Sequence, residues 1–380
     1  MTQQTAFHAA RIFDGETWHD DAALVVEDGR VAGIVPAVRA PAAQRLSGVI
    51  VPGLVDLQAN GGGGVLFNNA PTAESIGAIC NAHAQFGTTS VMVTLITDTE
   101  DITVRGVSAA RDAKNVDGFL GLHLEGPHLA ASRKGTHDAV LIRSMTARDQ
   151  ALLVDAAMQI EHLICTVAAE SVSPEQVRAL ADAGATVSLG HTDCTYEIGR
   201  AYADAGATMV THLFNAMGQM GHRAPGLVGA ALDDGRLWAG LIADGYHVAN
   251  AAMRVALRGK AGPAGIFLVS DSMSTIGSDQ TGFTLNGRKI YRADGRLTLA
   301  DGTLAGADIA LIDAVRYVHR SLGLTLCTAL QLATVQPARA LGIEDRGHLG
   351  QGAHADFFCM TSDLRADGTW IAGRKVKVAA

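Results

Sequence analysis

The stretch TSVMVTLITDTEDITVRGVSAARDAKNVDGFLGLHLEG (89–126) decides the fold class. Its two ends, 89–96 and 119–126, are short runs that are apolar on both faces, as in the strands of a parallel sheet that is covered on both sides. Between them, residues 99–113 show a helical period and begin with a threonine that is suited to capping a helix. The stretch therefore predicts a strand, a crossover helix and a second, parallel strand.

The same unit recurs along most of the chain from residue 50 onward. Eight apolar runs are predicted strands, at 49–57, 89–96, 119–126, 162–168, 186–191, 208–214, 237–243 and 266–271. Helices are predicted between them at 72–86, 99–113, 173–183, 195–205 and 249–258. Eight parallel strands with crossover helices close into a (β/α)8 barrel. We therefore predict an α/β fold with a TIM-like barrel over residues 51–342.

The two ends of the chain have a different pattern. Residues 1–50 and 343–380 contain runs of alternating polarity that are separated by turn signals such as Asp28-Gly29. We expect these two segments to meet in one small β-sandwich domain beside the barrel. Residues 274–305 hold Asn-Gly and Asp-Gly turns between alternating runs, which predicts a β excursion after the eighth barrel strand.

Composition and charge argue against several classes of protein. The chain has 380 residues, 48% of them hydrophobic, and its net charge of -8 includes no basic run that would suit nucleic acid. The N-terminus lacks a basic region followed by an apolar stretch, and no apolar run approaches the roughly 18 residues of a membrane span. Five cysteines without a CxxC spacing argue against a disulfide framework. We expect a cytoplasmic protein that acts on a small molecule, without nucleic-acid or membrane partners.

Polar side chains lie at the predicted ends of the barrel strands, where barrel enzymes carry their chemistry. They are Asp56, Gln58 and Asn60 after strand one, His123 and Glu125 after strand three, His191 after strand five, His212 and Asn215 after strand six, Asp244 and His247 after strand seven, and Asp271 after strand eight. A single buried histidine is usually a core residue. Several carboxylates and imidazoles that converge on one barrel mouth indicate a metal site instead.

Glu125, His191 and His212 supply one carboxylate and two imidazoles, a ligand set that holds a catalytic divalent metal and leaves a position open for water. A bound metal lowers the pKa of that water towards about 7, and a nearby carboxylate can then accept its proton. We assign this role to Asp271. The alternative for Asp271 is a strand-end carboxylate that caps the following turn.

Seven sequence blocks occur in an order and spacing that identify a known family. They are VPGLVDLQANG (51–61), HLEGPHL (123–129), RKGTHD (133–138), LGHTDC (189–194), THLFNAM (211–217), ADGYHV (243–248) and LVSDSM (268–273). With these blocks the chain resembles the N-acetylglucosamine-6-phosphate deacetylases of the amidohydrolase superfamily over nearly its whole length. The resemblance implies the same metal ligands, Glu125, His191 and His212, and Asp271 as the general acid and base.

The resemblance also implies roles for further residues. His137 would polarise the acetamide carbonyl and stabilise its developing negative charge. The residues that would bind the sugar and its phosphate are Thr136, Asn215, Ala216, Arg223, Asp244, His247, Leu304, Ala305 and Gly306. Among them Arg223 and His247 correspond to the phosphate contacts of the family. In the homodimers that are common in this family, the loop with Arg223 would reach into the partner's site.

Two departures from the patterns of related proteins involve three positions. Many amidohydrolases carry His-x-His at the end of strand one, but Gln58 and Asn60 stand there and are weak ligands for Zn²⁺. This departure implies one divalent metal per chain. Zn²⁺ is the preferred ion, and Fe²⁺, Co²⁺ and Mn²⁺ are alternatives. Ala224 replaces a glutamate that often follows the phosphate-binding arginine, so the orientation of Arg223 is open.

The predicted function is metal-dependent hydrolysis of the linear amide of N-acetyl-D-glucosamine 6-phosphate. The products are D-glucosamine 6-phosphate and acetate, which places the enzyme in amino-sugar catabolism or recycling. One alternative is the same reaction on N-acetylgalactosamine 6-phosphate, because the sequence does not position the loops that read the sugar hydroxyls. The remote alternative is a non-catalytic barrel scaffold.

Overall fold

The computed structural model describes residues 4–40 and 42–377. The strands are β1 (Gln4–Phe13), β2 (Trp18–Glu27), β3 (Arg30–Pro36), β4 (Gln44–Arg45), β5 (Val49–Pro52), β6 (Leu54–Ala59), β7 (Gly61–Gly62), β8 (Val65–Leu66), β9 (Thr88–Ile96), β10 (Phe119–Glu125), β11 (Leu163–Val167), β12 (Thr186–Leu189), β13 (Ala207–Val210), β14 (Trp238–Ile242), β15 (Ile266–Val269), β16 (Gly282–Leu285), β17 (Arg288–Ala293), β18 (Arg296–Thr298), β19 (Leu304–Ala307), β20 (Phe357–Met360), β21 (Ala366–Ile371) and β22 (Arg374–Lys375). The α-helices are α1 (Ala73–Ala84), α2 (Glu100–Asp112), α3 (Ala147–Gln159), α4 (Pro174–Asp182), α5 (Tyr196–Asp204), α6 (Gly226–Asp233), α7 (Asn250–Gly259), α8 (Leu311–Arg320), α9 (Leu326–Gln331) and α10 (Val335–Ala340).

Eight parallel strands form the predicted barrel. Their hydrogen-bonded order is β6, β9, β10, β11, β12, β13, β14, β15, so that each barrel strand after β6 pairs with the barrel strand before it. The strands are buried on both faces, and every residue of β9 is buried. This double burial explains why the strands appear in the sequence as continuous apolar runs. The predicted (β/α)8 barrel is confirmed.

The barrel closes where its last strand meets its first. The N–H of Asp271 donates to the carbonyl oxygen of Gln58 at 2.9 Å, and the N–H of Asn60 donates to that of Ser272 at 2.8 Å. Ala59 and Ser272 form a parallel bridge between these two bonds. The residues that close the barrel thus include three of the polar strand-end residues identified in the sequence.

Four of the predicted helices begin with a capping side chain, as their sequences indicated. The hydroxyls of Thr72, Thr99, Ser173 and Thr195 each accept a hydrogen bond from the N–H three residues later. Such caps satisfy backbone donors that have no partner within the helix. In the described part of the chain, no helix combines the length and apolar character needed to cross a membrane.

The first predicted strand, 49–57, was wrong in its bounds because it consists of two strands. Val49–Pro52 forms β5 in the terminal sheet, whereas Leu54–Ala59 forms β6 in the barrel. Gly53 lies between them, and a Cβ there would come within 1.9 Å of the Thr89 hydroxyl. Both halves are buried, so the polarity pattern of the sequence does not separate them.

The two ends of the chain meet in one small β domain. Its sheet has the order β22, β21, β20, β5, β1, β2, β3, with β4 paired to β1, so both chain ends contribute strands. Phe7, Phe357 and Trp370 pack at the centre of this domain, with the rings of Phe357 and Trp370 stacked at 4.9 Å. The predicted meeting of the termini is confirmed, while the division of the chain at residues 50 and 343 stays a prediction.

The β excursion is a four-stranded antiparallel sheet of β16 to β19. Leu285, Ile290, Leu297 and Ala305 form its buried side, which packs against Met273 just after the last barrel strand. The excursion therefore lies over the carboxyl ends of the barrel strands. This position lets it line the cavity described next.

Candidate active site

A cavity of about 220 Å³ opens at the carboxyl ends of the barrel strands. Its lining residues are Asn60, Ile96, Glu125, Gly135, Thr136, His137, His191, His212, Asn215, Ala216, Ile242, His247, Asp271, Met273, Thr303, Leu304 and Gly306. In a (β/α)8 barrel this is the face on which catalysis takes place. The cavity brings together all three predicted metal ligands and both predicted catalytic residues.

Glu125, His191 and His212 form a compact buried cluster at the base of the cavity. Oε1 of Glu125 lies 2.9 Å from Nε2 of His212 and 3.2 Å from Nε2 of His191. The two Nε2 atoms are 3.1 Å from each other. One ligand atom from each residue lies within 4.8 Å of the other two.

Sharp turns of the backbone at the strand ends direct these side chains into the cavity. His191, His212 and Asp271 have φ values of 49°, 30° and 47°, in the left-handed region that residues with side chains rarely adopt. Such conformations cost free energy and are concentrated at functional sites. Gly190, next to His191, has no side chain, and a Cβ there would lie 2.9 Å from Thr166.

The donor chemistry of the cluster fits a divalent metal. Nδ1–H of His191 donates to the carbonyl oxygen of Arg133 at 2.8 Å, so Nε2 is the nitrogen that faces Glu125 and His212 and is available to a metal. Histidine ligands of metals commonly have such a second hydrogen bond, which fixes the tautomer. One carboxylate and two imidazoles can hold Zn²⁺ or a similar ion with open positions.

The cluster also perturbs the ionisation of its own members. Burial acts to raise the pKa of Glu125, but hydrogen bonds from His191 and His212 outweigh it and hold that pKa well below its usual value. Burial acts to lower the pKa of His212, but the hydrogen bond to Glu125 and its charge raise it overall. The site therefore holds an ionised carboxylate beside two imidazoles, the donor types that bind a divalent cation.

Asp271 lies beside the cluster and is held by two amide side chains. Nδ2 of Asn60 donates to Oδ1 of Asp271 at 2.8 Å, and Nε2 of Gln58 donates to the same oxygen at 3.2 Å. Gln58 also donates to Oε1 of Glu125 at 3.2 Å. Burial and the charge of Glu125 raise the pKa of Asp271 to about 6. A carboxylate with that pKa can both accept and return a proton near neutral pH.

Gln58 and Asn60 therefore have a function that their sequence positions did not reveal. They stand where other amidohydrolases have metal-binding histidines, and the sequence predicted only that they are weak ligands. In the structure both are buried, and their amide N–H groups point at Asp271. Two amide donors on one carboxylate oxygen fix the direction in which the other oxygen points.

His137 lies on the other side of the cavity, with 3% of its surface exposed. Its Nε2 is 3.8 Å from Oε2 of Glu125, and its Nδ1 is 2.7 Å from the hydroxyl oxygen of Thr97. The rings of His137 and His191 are in edge contact at 4.5 Å. Burial and the neighbouring imidazole of His191 lower the pKa of His137 to about 3, so its ring is neutral.

The residues predicted to bind the sugar phosphate divide into two groups. Six of them line the cavity: Thr136, Asn215, Ala216, His247, Leu304 and Gly306. Ala305 points into the core of the excursion, and Arg223 is exposed on the loop before α6, outside the cavity lining. The binding roles of all these residues stay predictions.

Asp244 does not line the cavity itself but contacts His247, which does. Its carboxylate accepts a hydrogen bond from Nδ1–H of His247 at 2.6 Å and two more from the N–H groups of Tyr246 and His247. Burial opposes ionisation of Asp244, but these hydrogen bonds and the nearby imidazole lower its pKa overall. Asp244 therefore orients the ring of His247, which is the residue that lines the cavity.

Two further buried histidines, His123 and His128, belong to the surroundings of the site. Nε2 of His123 lies 2.7 Å from the hydroxyl of Thr166, and burial lowers the pKa of His123 to about 4 despite the charge of Glu125. His128 donates to the carbonyl oxygen of Arg143 at 3.1 Å. Neither histidine lines the cavity.

Comparison with known proteins agrees with this geometry. Residues 49–376 match the Amidohydrolase family. The chain belongs to the amidohydrolase family. This assignment confirms the resemblance on which the predictions were based, and it covers the barrel, the excursion and most of the C-terminal part of the β domain.

Two curated relatives of this amidohydrolase act on the two epimeric sugars. It is 38% identical over 92% of its length to the N-acetylgalactosamine-6-phosphate deacetylase of Shewanella sp. strain ANA-3, of which 90% is covered. It is 33% identical over 86% of its length to the N-acetylglucosamine-6-phosphate deacetylase of Haemophilus influenzae, of which 86% is covered.

A solved structure matches this amidohydrolase along almost its whole length. It is a mutant N-acetyl-D-glucosamine-6-phosphate deacetylase from Mycobacterium smegmatis in complex with N-acetyl-D-glucosamine 6-phosphate. The match has a TM-score of 0.90 and 31% identity, and it covers 98% of this chain and 99% of the other. The fold is thus that of a solved deacetylase over almost the whole chain.

Proposed function

We propose that this amidohydrolase hydrolyses the acetamide of N-acetyl-D-glucosamine 6-phosphate to D-glucosamine 6-phosphate and acetate. The observation that carries the proposal is the single cavity in which Glu125, His191 and His212 lie together with Asp271 and His137. These five side chains supply a metal-binding set, a proton carrier and a donor for the carbonyl oxygen, which amide hydrolysis requires.

The metal would be one divalent cation per chain, held by Glu125, His191 and His212. Such an ion supplies Lewis acidity, which lowers the pKa of a water molecule and polarises a carbonyl group. We propose Zn²⁺ first, because nitrogen and oxygen ligands with an open position suit it, although Fe²⁺, Co²⁺ and Mn²⁺ accept the same set. The amides of Gln58 and Asn60 support a single ion, because their N–H groups are directed at Asp271.

Asp271 would move the proton. As the ionised base it accepts a proton from the attacking water, and as the acid it delivers that proton to the nitrogen of the departing amine. Its raised pKa of about 6 makes both directions accessible near neutral pH. The amide donors Gln58 and Asn60 hold Oδ1, which leaves Oδ2 to exchange the proton.

His137 would stabilise the transition state. Its imidazole faces the same cavity as Glu125, and an N–H aimed at the carbonyl oxygen gains most when negative charge develops there. Because the ring is buried and neutral, only one of its two nitrogens can carry that proton.

The sugar phosphate would extend from the metal site towards Asn215, Ala216 and His247. Arg223 is exposed and lies outside the lining of its own chain's cavity. We propose that it acts in the partner's site of a homodimer, as the resemblance to the family implies. Mixing Arg223→Ala chains with Asp271→Asn chains tests that arrangement. Activity that returns in mixed dimers supports a shared site, and no return after verified subunit exchange contradicts it.

The deciding experiment is an acetate-release assay with protein of measured metal content. We expect acetate from N-acetylglucosamine 6-phosphate in proportion to the metal bound, and little from unphosphorylated N-acetylglucosamine. A fully metal-loaded protein that releases no acetate from either sugar phosphate would contradict the proposal. The non-catalytic scaffold would then be the remaining hypothesis.

A second candidate substrate is N-acetylgalactosamine 6-phosphate. It is favoured by the 38% identity to the Shewanella N-acetylgalactosamine-6-phosphate deacetylase, compared with 33% to the Haemophilus influenzae enzyme. The proposed chemistry is the same because the epimers differ only at one sugar hydroxyl, away from the acetamide. The ratio of kcat/KM for the two epimers distinguishes the candidates.

A further inference from the structure

Thr97 is a buried residue beside the site that the roles above do not include. It directly follows β9, with 1% of its surface exposed, and its hydroxyl oxygen lies 2.7 Å from Nδ1 of His137. The same oxygen is 3.4 Å from the carbonyl oxygen of Glu125. Gly126 makes this approach feasible, because a Cβ there would come within 2.2 Å of the Thr97 hydroxyl.

The Thr97 hydroxyl has one proton and two acceptors that could receive it. A distance of 2.7 Å is typical of a strong hydrogen bond that involves a hydroxyl, whereas 3.4 Å is at the weak end of the range. If Nδ1–H donated to the hydroxyl instead, the hydroxyl proton would have only the weak acceptor at 3.4 Å, so donation from the hydroxyl to Nδ1 of His137 is favoured. When Nδ1 accepts a hydrogen bond, a neutral imidazole carries its own proton on Nε2.

The surroundings of Nε2 favour the same tautomer independently. Nε2 of His137 faces Oε2 of Glu125 at 3.8 Å. A lone pair on Nε2 would be repelled by that carboxylate, whereas an N–H is attracted to it. Both contacts of the ring thus place the proton on the nitrogen that faces the cavity.

A hairpin turn of the excursion supports both partners of this hydrogen bond. Nδ2 of Asn286 donates to the carbonyl oxygen of Thr97 at 3.3 Å, and the guanidinium of Arg288 donates to that of Thr136 at 2.6 Å. Asn286 and Gly287 have φ values of 46° and 74°, as a tight Asn-Gly turn requires. The turn predicted from the sequence thus touches the segments that carry Thr97 and His137.

We propose that Thr97 is a positioning residue that sets the tautomer of His137, so that Nε2–H is presented to the carbonyl oxygen of the substrate. The turn at Asn286 and Arg288 holds the two segments at the spacing that this hydrogen bond needs. The inference rests on the proposed function for its effect on turnover, but the tautomer itself exists without substrate.

The first test measures the tautomer directly. In zinc-loaded protein with ¹⁵N-labelled histidine, the ring signals of His137 are assigned from their loss in His137→Gln. We expect shifts of a protonated Nε2 and an unprotonated, hydrogen-bonded Nδ1 in the wild type. A protonated Nδ1 would overturn the proposal, and this result needs neither a folded Thr97 variant nor turnover.

The second test removes the hydroxyl with little change of shape. Thr97→Val should lower kcat by about 10- to 100-fold, less than the loss of the donor itself, while KM changes little. Thr97→Ser should restore most of the activity because it retains the hydroxyl. Thr284→Val makes the same exchange at an exposed position of the excursion and should leave kcat unchanged.

The two effects should not be additive, because both act on one donor. In the His137→Gln background, Thr97→Val should reduce kcat by less than about twofold. Equal losses in both backgrounds, with unchanged metal content and Tm, would show that Thr97 has only a structural role. Activity in the wild type is the reference, so a wild type without activity contradicts the proposed function rather than this inference.

Discussion

The hydrogen bond from Asn60 to Asp271 allows a quantitative prediction. Asn60→Leu retains the approximate shape of the side chain but removes the N–H that donates to Oδ1 of Asp271 at 2.8 Å. That donor stabilises the ionised carboxylate, so its loss raises the pKa of Asp271 further. The direction follows because the bond favours the charged form.

The magnitude follows from the strength of hydrogen bonds to charged groups. Such a bond contributes about 1.5 to 3 kcal/mol, and one pKa unit corresponds to about 1.4 kcal/mol. The expected change is therefore about one to two units upward from the pKa of about 6 in this site. Because Asp271 must be ionised to accept the proton of water, activity is present above its pKa and is lost as the pH falls through it.

The assay measures kcat/KM for the sugar phosphate as a function of pH. The metal content of the protein is measured at both ends of the pH range. We expect the acid limb of Asn60→Leu to lie at higher pH than that of the wild type, while activity at alkaline pH is largely retained. Asn115→Leu makes the same exchange at an exposed position and should not move the limb. An unmoved acid limb in a metal-loaded Asn60→Leu protein would refute the role of this hydrogen bond.

Four further substitutions test the assigned roles. Asp271→Asn should retain fold and metal but lose turnover, since an amide cannot carry the proton, and even about a tenth of wild-type kcat would contradict the assignment. His191→Ala should lose both metal and turnover. Elemental analysis should find one ion per chain in the wild type and none in the variant. His137→Gln should lower kcat by about 10² to 10³-fold with little change in KM, and a change in KM alone would mean that it only positions the sugar. Arg223→Ala should reduce kcat/KM for the phosphorylated sugar to the level of the unphosphorylated one, and equal values for both sugars in the wild type would exclude a phosphate role.

The sequence predicted the barrel and the centre of its site because both follow from local patterns. Doubly buried strands are continuous apolar runs, and capping residues such as Thr99 mark the helix starts. All parallel strands end at one face, so Glu125, His191, His212 and Asp271 could be expected to meet without any knowledge of their distances.

Other features depend on contacts between distant segments, which one sequence does not display. At Gly53 the side chain of Thr89 leaves no room for a Cβ, and the hydrogen bonds to Asp271 come from Gln58 and Asn60 across the barrel closure. Thr97 lies one residue beyond a predicted strand and is indistinguishable there from any other threonine. An arginine exposed on a single chain, such as Arg223, gives no indication of whose site it serves.

Closure of the barrel divides the assembly of the site into two steps, the pairing of the strands that carry the metal ligands and the docking that orients the base. Glu125, His191 and His212 come from β10 to β13 and the turns that follow them, which are neighbours in both sequence and space. Asp271 follows β15, and its hydrogen bonds from Gln58 and Asn60 form only when β15 docks on β6, which joins Asp271 to Gln58, 213 positions away. Contacts of such long range form late because their loop entropy must be overcome first. We therefore expect a partly folded chain to bring its metal ligands together before the closure that orients its base, so that the capacity to hold an ion precedes the capacity to turn over substrate.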